Sequence, residues 1–158
     1  MIRQDETQDK KRYGSFTIVT PTVGKNWEVL PMGNSLFPEL VEAVFELEQV
    51  LAAESHDRVT VEGLQHQGKA ERPPSSHCAV NCNAEFTPHV DSGSGAGQSM
   101  SMIVGFGEYS GGELFVESQP FDIQYKPLEF DGWKLRHWTN QFVGERFSLV
   151  WFTPESKG

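Results

Sequence analysis

The pattern of apolar and polar positions divides the chain into two textures. Between residues 37 and 54, Leu40, Val41, Val44, Leu47 and Leu51 recur at three- and four-residue steps, the period of a helix with one apolar face. Pro38 suits the first turn of such a helix, and Ser35 offers a cap. Glu39, Glu42, Glu46 and Glu48 fall mostly on the other faces, so the pattern predicts a support helix lying on a sheet, without chemistry of its own. Upstream, the run Phe16-Thr17-Ile18-Val19-Thr20 is rich in β-branched residues and predicts a strand, punctuated by Pro21 and Gly24. Downstream, Gly63, Gly68, Pro73, Pro74, Ser75 and Ser76 interrupt any regular pattern over 62–77. Lys69 and Arg72 give that stretch local positive charge, which fits a solvated loop or a flap that touches substrate.

From residue 78 onward the period shortens to two. Strands are expected at 78–83, 99–104, 113–117, 121–125, near 133–137, and at 147–152, with glycine-rich turns at 93–97 and 105–112. Many short, closely spaced strands predict a sandwich or a barrel-like double sheet. The expected organisation is a flexible tail over 1–13, then a single domain over 14–158. That domain is mainly β with a flanking helix at about 37–54 and a β core at about 78–153.

Composition narrows the classes. Apolar residues make up 37% of the 158 residues and charged residues 22%, a globular balance that is neither disordered nor fibrous. The net charge of −9 repels phosphate backbones and argues against loose nucleic-acid coating, although a local basic patch stays compatible with it. No apolar run approaches the ~20 residues needed to cross a membrane. The first dozen residues lack the apolar centre of a signal peptide, so a soluble intracellular protein, cytoplasmic or nuclear, is the default expectation. Cys78 and Cys82 are spaced C-x3-C with no second pair. This reads as two small residues in or near a strand, with a redox pair or disulfide as the alternative.

Candidate chemistry lies in the second half. In an extended segment, His89 and Asp91 project from the same face while Val90 points away. An imidazole beside a carboxylate makes two ligands for a divalent metal, and His137, 48 residues further on, is a candidate third. Two histidines and one carboxylate occupy one face of an octahedron and leave three positions open, which suits non-haem iron(II). Zinc hydrolases use the same residue types, and a structural His89 held by Asp91 is the plainer alternative.

Arg146 opens the last expected strand, and alternation puts Arg146, Ser148 and Val150 on one face, with Phe147, Leu149 and Trp151 on the other. An arginine and a hydroxyl on an otherwise apolar inner face are costly unless they meet an anion. The arginine fork binds a carboxylate through two parallel hydrogen bonds, and serine adds a donor. An internal Arg–carboxylate pair is the competing explanation.

H-x-D at His89 and Asp91, a distal His137, and R-x-S at Arg146 and Ser148 together resemble the iron(II)/2-oxoglutarate-dependent dioxygenase superfamily. Gly111-Gly112-Glu113-Leu114 resembles its G-G-x-L turn, and Gly144-Glu145-Arg146-Phe147-Ser148-Leu149 its closing pattern. The likeness covers about residues 79–153. It implies a double-stranded β-helix (jelly-roll) core, with Fe(II) held by His89, Asp91 and His137. It also implies 2-oxoglutarate held by Arg146 with Ser148, and O2 as the oxidant. Asn83, or its rival Asn81, would hydrogen-bond the oxoacid. The expected reaction oxidises or hydroxylates a substrate while 2-oxoglutarate becomes succinate and CO2. Related halogenases lose the carboxylate that Asp91 retains, which favours hydroxylation.

The substrate is less legible. Residues 107–114 also resemble the TET and JBP oxygenases of methylated nucleobases, which flip a base into the pocket and need a basic rim. Lys69, Arg72, Lys134 and Arg136 are candidates for that rim, but the acidic charge disfavours it; a protein side chain or a small metabolite is the other option. Tyr109 and Trp138 are candidate substrate contacts, Trp133 flanks the distal histidine, and the 92–98 loop after Asp91 is a candidate lid. Two rival functions stay open: a cupin-like metal enzyme that uses no 2-oxoglutarate, disfavoured by Asp91 where cupins often place a second histidine, and a non-catalytic jelly-roll binding module.

Overall fold

The computed structural model describes residues 13–20, 30–66, 72–91 and 97–155. Residues 1–12 of the expected tail over 1–13, and 92–96 of the candidate lid over 92–98, lie outside the described residues. The strands are β1 (Gly14–Val19), β2 (Asp57–Thr60), β3 (Gly63–Gln65), β4 (His77–Cys82), β5 (Ser101–Phe106), β6 (Tyr109–Gly111), β7 (Leu114–Val116), β8 (Gln119–Phe121), β9 (Leu128–Phe130), β10 (His137–Thr139), β11 (Phe142–Gly144) and β12 (Phe147–Phe152). Among the described residues, the helices α1 (Met32–Leu36) and α2 (Pro38–Ala52) fall between β1 and β2.

Seven strands form one sheet in the order β1-β4-β12-β5-β9-β2-β3. Its pairings are antiparallel except for β2 against β9, which makes the sheet mixed. A three-stranded sheet, β10-β7-β8, and a two-stranded one, β11-β6, make up the other sheets among the described residues. The protein is thus mostly β around one large mixed sheet, consistent with a jelly-roll-like architecture.

Alternation gives the large sheet two different faces. On one, Cys78, Met102, Val104 and Trp151 pack with Ile18 and with Val41, Val44, Phe45 and Ala52 of α2. Trp151, fully buried, also donates its indole N–H to the Val44 carbonyl at 3.1 Å. On the other, Ile103, Leu128 and Phe130 join Leu114, Val116 and Phe121 of the small sheet in a second core.

The helix meets its expectation over 38–52, with Pro38 in the first turn. Two details differ. Ser35 is not its cap: it lies in α1, and the N-cap is Phe37, whose side chain makes no capping bond. The buried stripe runs through Val41, Val44, Phe45, Glu48 and Ala52, with Leu40, Leu47 and Leu51 only partly buried. Glu48, expected on a solvent face, is 1% exposed. Its carboxylate accepts from Arg72 Nε at 2.9 Å and from Ser75 Oγ at 2.5 Å. Arg72 also donates to Glu129 at 3.0 Å, and Glu129 meets His56 at 2.5 Å and Arg58 at 3.5 Å. A buried carboxylate is tolerable only when paired and hydrogen-bonded. Arg72 is therefore a clamp between α2 and β9, neither part of a solvated loop nor a substrate flap.

Other strand expectations are corrected in detail. β12 occupies the span expected, while β5 begins two residues later and includes Gly105, expected in a turn. β2, β3, β6, β9 and β11 fall where no strand was expected, β3 inside the stretch read as loop. Cys78 and Cys82 lie on one strand, carry no disulfide, and would stand ~13 Å apart in extended backbone, too far to bridge.

Candidate metal and oxoacid site

A cavity of about 570 Å³ opens between the large sheet and the small one, and it contains the candidate chemistry. His137 begins β10. His89 joins that strand through an isolated antiparallel bridge, with backbone hydrogen bonds of 3.1 and 2.9 Å in the two directions. Two residues on, the Asp91 N–H donates to the Gly132 carbonyl at 2.8 Å. These backbone ties bring the segments together, and the ligating atoms of His89, Asp91 and His137 all lie within 4.8 Å of one another.

The histidines are oriented for ligation. His89 Nδ1 lies 2.7 Å from the Thr87 carbonyl and His137 Nδ1 2.8 Å from that of Leu135. A carbonyl can only accept, so Nδ1 carries the proton and Nε2 presents a lone pair in the neutral ring. Both Nε2 atoms face Asp91 Oδ1, at 3.5 and 3.3 Å. Burial raises the Asp91 pKa, but hydrogen bonds from His137 and His89, donated from Nε2 when those rings are protonated, outweigh it and hold the carboxyl well below the usual carboxylate range. The hydrogen bond to Asp91 raises the pKa of His89 against the opposing effect of burial. Two imidazole nitrogens and a carboxylate oxygen, drawn together in a cavity wall, are a donor set that fits a divalent metal such as iron(II).

The same cavity is lined by Arg146, Ser148 and Asn81. Arg146 is 2% exposed. Its Nε donates to the Gly112 carbonyl at 3.1 Å, while its Nη2, fully buried, has no hydrogen-bond partner among the described residues. The guanidinium lies 5.7 Å from the Tyr109 ring centre and 5.8 Å from that of Phe142. Burial lowers its pKa, against the attraction of Tyr109. Among the described residues no carboxylate forms an ion pair with it, and Glu85 and Glu113 act on it only at longer range, contrary to the competing explanation of its inward position. Ser148 Oγ accepts from Asn81 Nδ2 at 3.1 Å, which leaves its own proton able to donate. A partly unsatisfied arginine fork beside a hydroxyl suits a carboxylate.

Not every expected residue reaches the cavity. Asn83 is not among its lining residues. Alternation ends at Cys82, and Asn83 takes a left-handed conformation (φ 51°) that asparagine tolerates. Its side chain accepts the Arg146 backbone N–H at 2.7 Å, so it fixes the Arg146 backbone just before β12, and Asn81 takes the cavity position. Tyr109, a candidate substrate contact, is not among the lining residues; it sits beside Arg146, its buried hydroxyl without a partner among the described residues. Trp138 does line the cavity and stacks on Phe115 at 5.3 Å; Trp133 is half-buried elsewhere. Of the expected basic rim, Arg72 is buried in its ion pairs, Lys69 lies outside the described residues, and only Lys134 and Arg136 are exposed.

Sequence reading missed Thr139, Phe86 and Phe130 and named Gln98 only as the end of a candidate lid; all four line the cavity. Gln98 carried one available signal, as the single long polar side chain closing the Gly/Ser run after Asp91. Among the described residues no helix is long and apolar enough to cross a membrane.

No protein-family model and no curated protein matches the chain. Among solved structures, an oxidoreductase described as of the 2OG-Fe(II) oxygenase family, from Burkholderia pseudomallei, is 21% identical with a TM-score of 0.37. The match covers 52% of this chain and 47% of that one, so this chain matches about half the length of that protein. So partial an overlap decides neither family nor activity, and it gives the nucleobase-oxygenase subtype no support.

Proposed function

We propose that this protein is an iron(II)- and 2-oxoglutarate-dependent oxygenase with a double-stranded β-helix core. His89, Asp91 and His137 would hold the metal, and Arg146, with Ser148, would anchor the distal carboxylate of 2-oxoglutarate. One observation carries the reading: a three-ligand cluster and a buried arginine with an unsatisfied Nη2 share one cavity. A metal enzyme that uses no dicarboxylate has no need of the second feature, and a binding module has no need of the first.

Iron(II), when bound, supplies the centre for oxygen activation coupled to the decarboxylation of 2-oxoglutarate to succinate and carbon dioxide. The chain's own residues do the positioning. The Thr87 and Leu135 carbonyls fix the histidine tautomers, Gly112 and Asn83 aim and anchor Arg146, and Phe86, Leu114, Phe130, Trp138 and Phe152 give the cavity an apolar wall that limits water. The primary substrate is a protein side chain, a small metabolite or a methylated nucleobase.

The test is anaerobic loading with iron(II), then oxygen, ascorbate and 2-oxoglutarate, with succinate followed by mass spectrometry. Succinate should form, His89→Ala should lose both metal and turnover, and Arg146→Ala should keep the metal while losing turnover. Tight iron binding without succinate would redirect the assignment to a cupin-like enzyme, and absence of iron binding would leave a binding module.

A further inference from the structure

Asp91 has two carboxylate oxygens, and the surroundings treat them differently. Oδ1 faces the two imidazole Nε2 atoms, at 3.5 and 3.3 Å. Oδ2 is turned the other way and accepts from Gln98 Nε2 at 2.8 Å. The Gln98 amide is itself oriented, because its Nε2 also reaches Ser101 Oγ at 3.2 Å, and Ser101 is fully buried on β5. On another side Oδ2 lies against Gly132: a Cβ at that position would stand 2.5 Å from it. That glycine is buried and has no positive φ, so space and not conformation requires it. The Gly132 carbonyl holds the Asp91 backbone as well.

From this geometry we infer that Gln98 is a positioning residue that commits Asp91 to bind the metal through Oδ1 alone. The inference rests on the metal reading proposed above and adds a mechanism to it. A carboxylate free to rotate can chelate with both oxygens and close a coordination position. The proposed chemistry needs three open positions, two for the oxoacid and one for oxygen. The hydrogen bond from Gln98 engages a lone pair of Oδ2 and holds that oxygen turned away from a second metal–oxygen contact. It donates from a neutral amide, so it leaves the negative charge of Asp91 in place for the metal.

The test uses cobalt(II) as a spectroscopic probe on the full chain, because its visible bands intensify as coordination number falls. Gln98→Met keeps the side-chain length and removes the donor; Gln98→Leu is a second variant of different shape. Gln98 is only partly buried, and circular dichroism of the metal-free variants checks folding. Both variants should bind cobalt(II) ~10–100-fold more weakly than wild type, as loss of an outer hydrogen bond typically does. Both should show an altered visible spectrum, and the spectral change on adding 2-oxoglutarate should shrink. Unchanged affinity and spectrum in both variants, with wild-type binding abolished by His89→Ala, would overturn the role of Gln98 and leave the metal site standing. If His89→Ala does not affect cobalt binding in the wild-type background, the metal reading fails and this inference fails with it.

Discussion

Arg146 shows how much of a residue's role comes from its neighbours. The guanidinium is buried beside two aromatic rings that meet edge to face, and its Nε is tied to the carbonyl of Gly112. Gly112 has φ +74°, and a Cβ there would lie 2.8 Å from Arg146 Nε. Gly112→Ala therefore faces two obstacles, a left-handed backbone that L-residues resist and a direct collision with the arginine. We expect the variant to fold with a loss of roughly 1–3 kcal/mol, read from chemical denaturation. Its apparent KM for 2-oxoglutarate should rise while cobalt(II) affinity stays unchanged. The motif Gly111-Gly112 was legible in sequence as a turn, but its second purpose, room for the arginine, required the tertiary contact.

At the scale of elements, β4 illustrates a strand with two employments. Ala79 and Asn81 face the cavity, while Cys78 faces the helix. Cys78 is fully buried and burial pushes its thiol pKa up, whereas Cys82, near the strand's end, is only partly buried. Thiolate is the reactive form, so iodoacetamide on the native protein should label Cys82 first and leave Cys78 intact until unfolding, as peptide mapping will show. Equal labelling of both would contradict this packing. Alternation predicted the two faces of β12 correctly, because that rule is local. It failed at Asn83, where the strand ends and backbone conformation changes. It also failed to find the three-residue strands β6, β9 and β11, since three residues carry little period to read.

Across the whole molecule, the buried ion network joins parts distant in sequence: α2 through Glu48, the segment before β4 through Arg72 and Ser75, and β9 through Glu129. Removing one partner of such a pair leaves an uncompensated buried charge. Arg72→Met should therefore cost about 3–5 kcal/mol of stability, measured by denaturant unfolding. At temperatures where the variant stays folded, metal affinity and turnover per folded molecule should be unchanged, because the network lies on the helix side of the sheet, away from the cavity. A selective loss of turnover instead would restore Arg72 to the substrate flap.

The sequence by itself determined the local features: a helix near residues 38–52, a closing strand with an inward Arg146 and Ser148, and the pairing of His89 with Asp91 on one side of an extended segment. Each depends on periodicity or on neighbours within a few residues. Only the tertiary structure decided which distant groups meet. It brought His137 to His89 through a two-residue bridge, set Gln98 against Asp91, chose Asn81 over Asn83 for the cavity, and turned Glu48 and Arg72 inward as partners. The physical reason is the same in each case. A buried polar group is stable only where another part of the chain supplies its hydrogen bond or counter-charge, and no local pattern records which part that is.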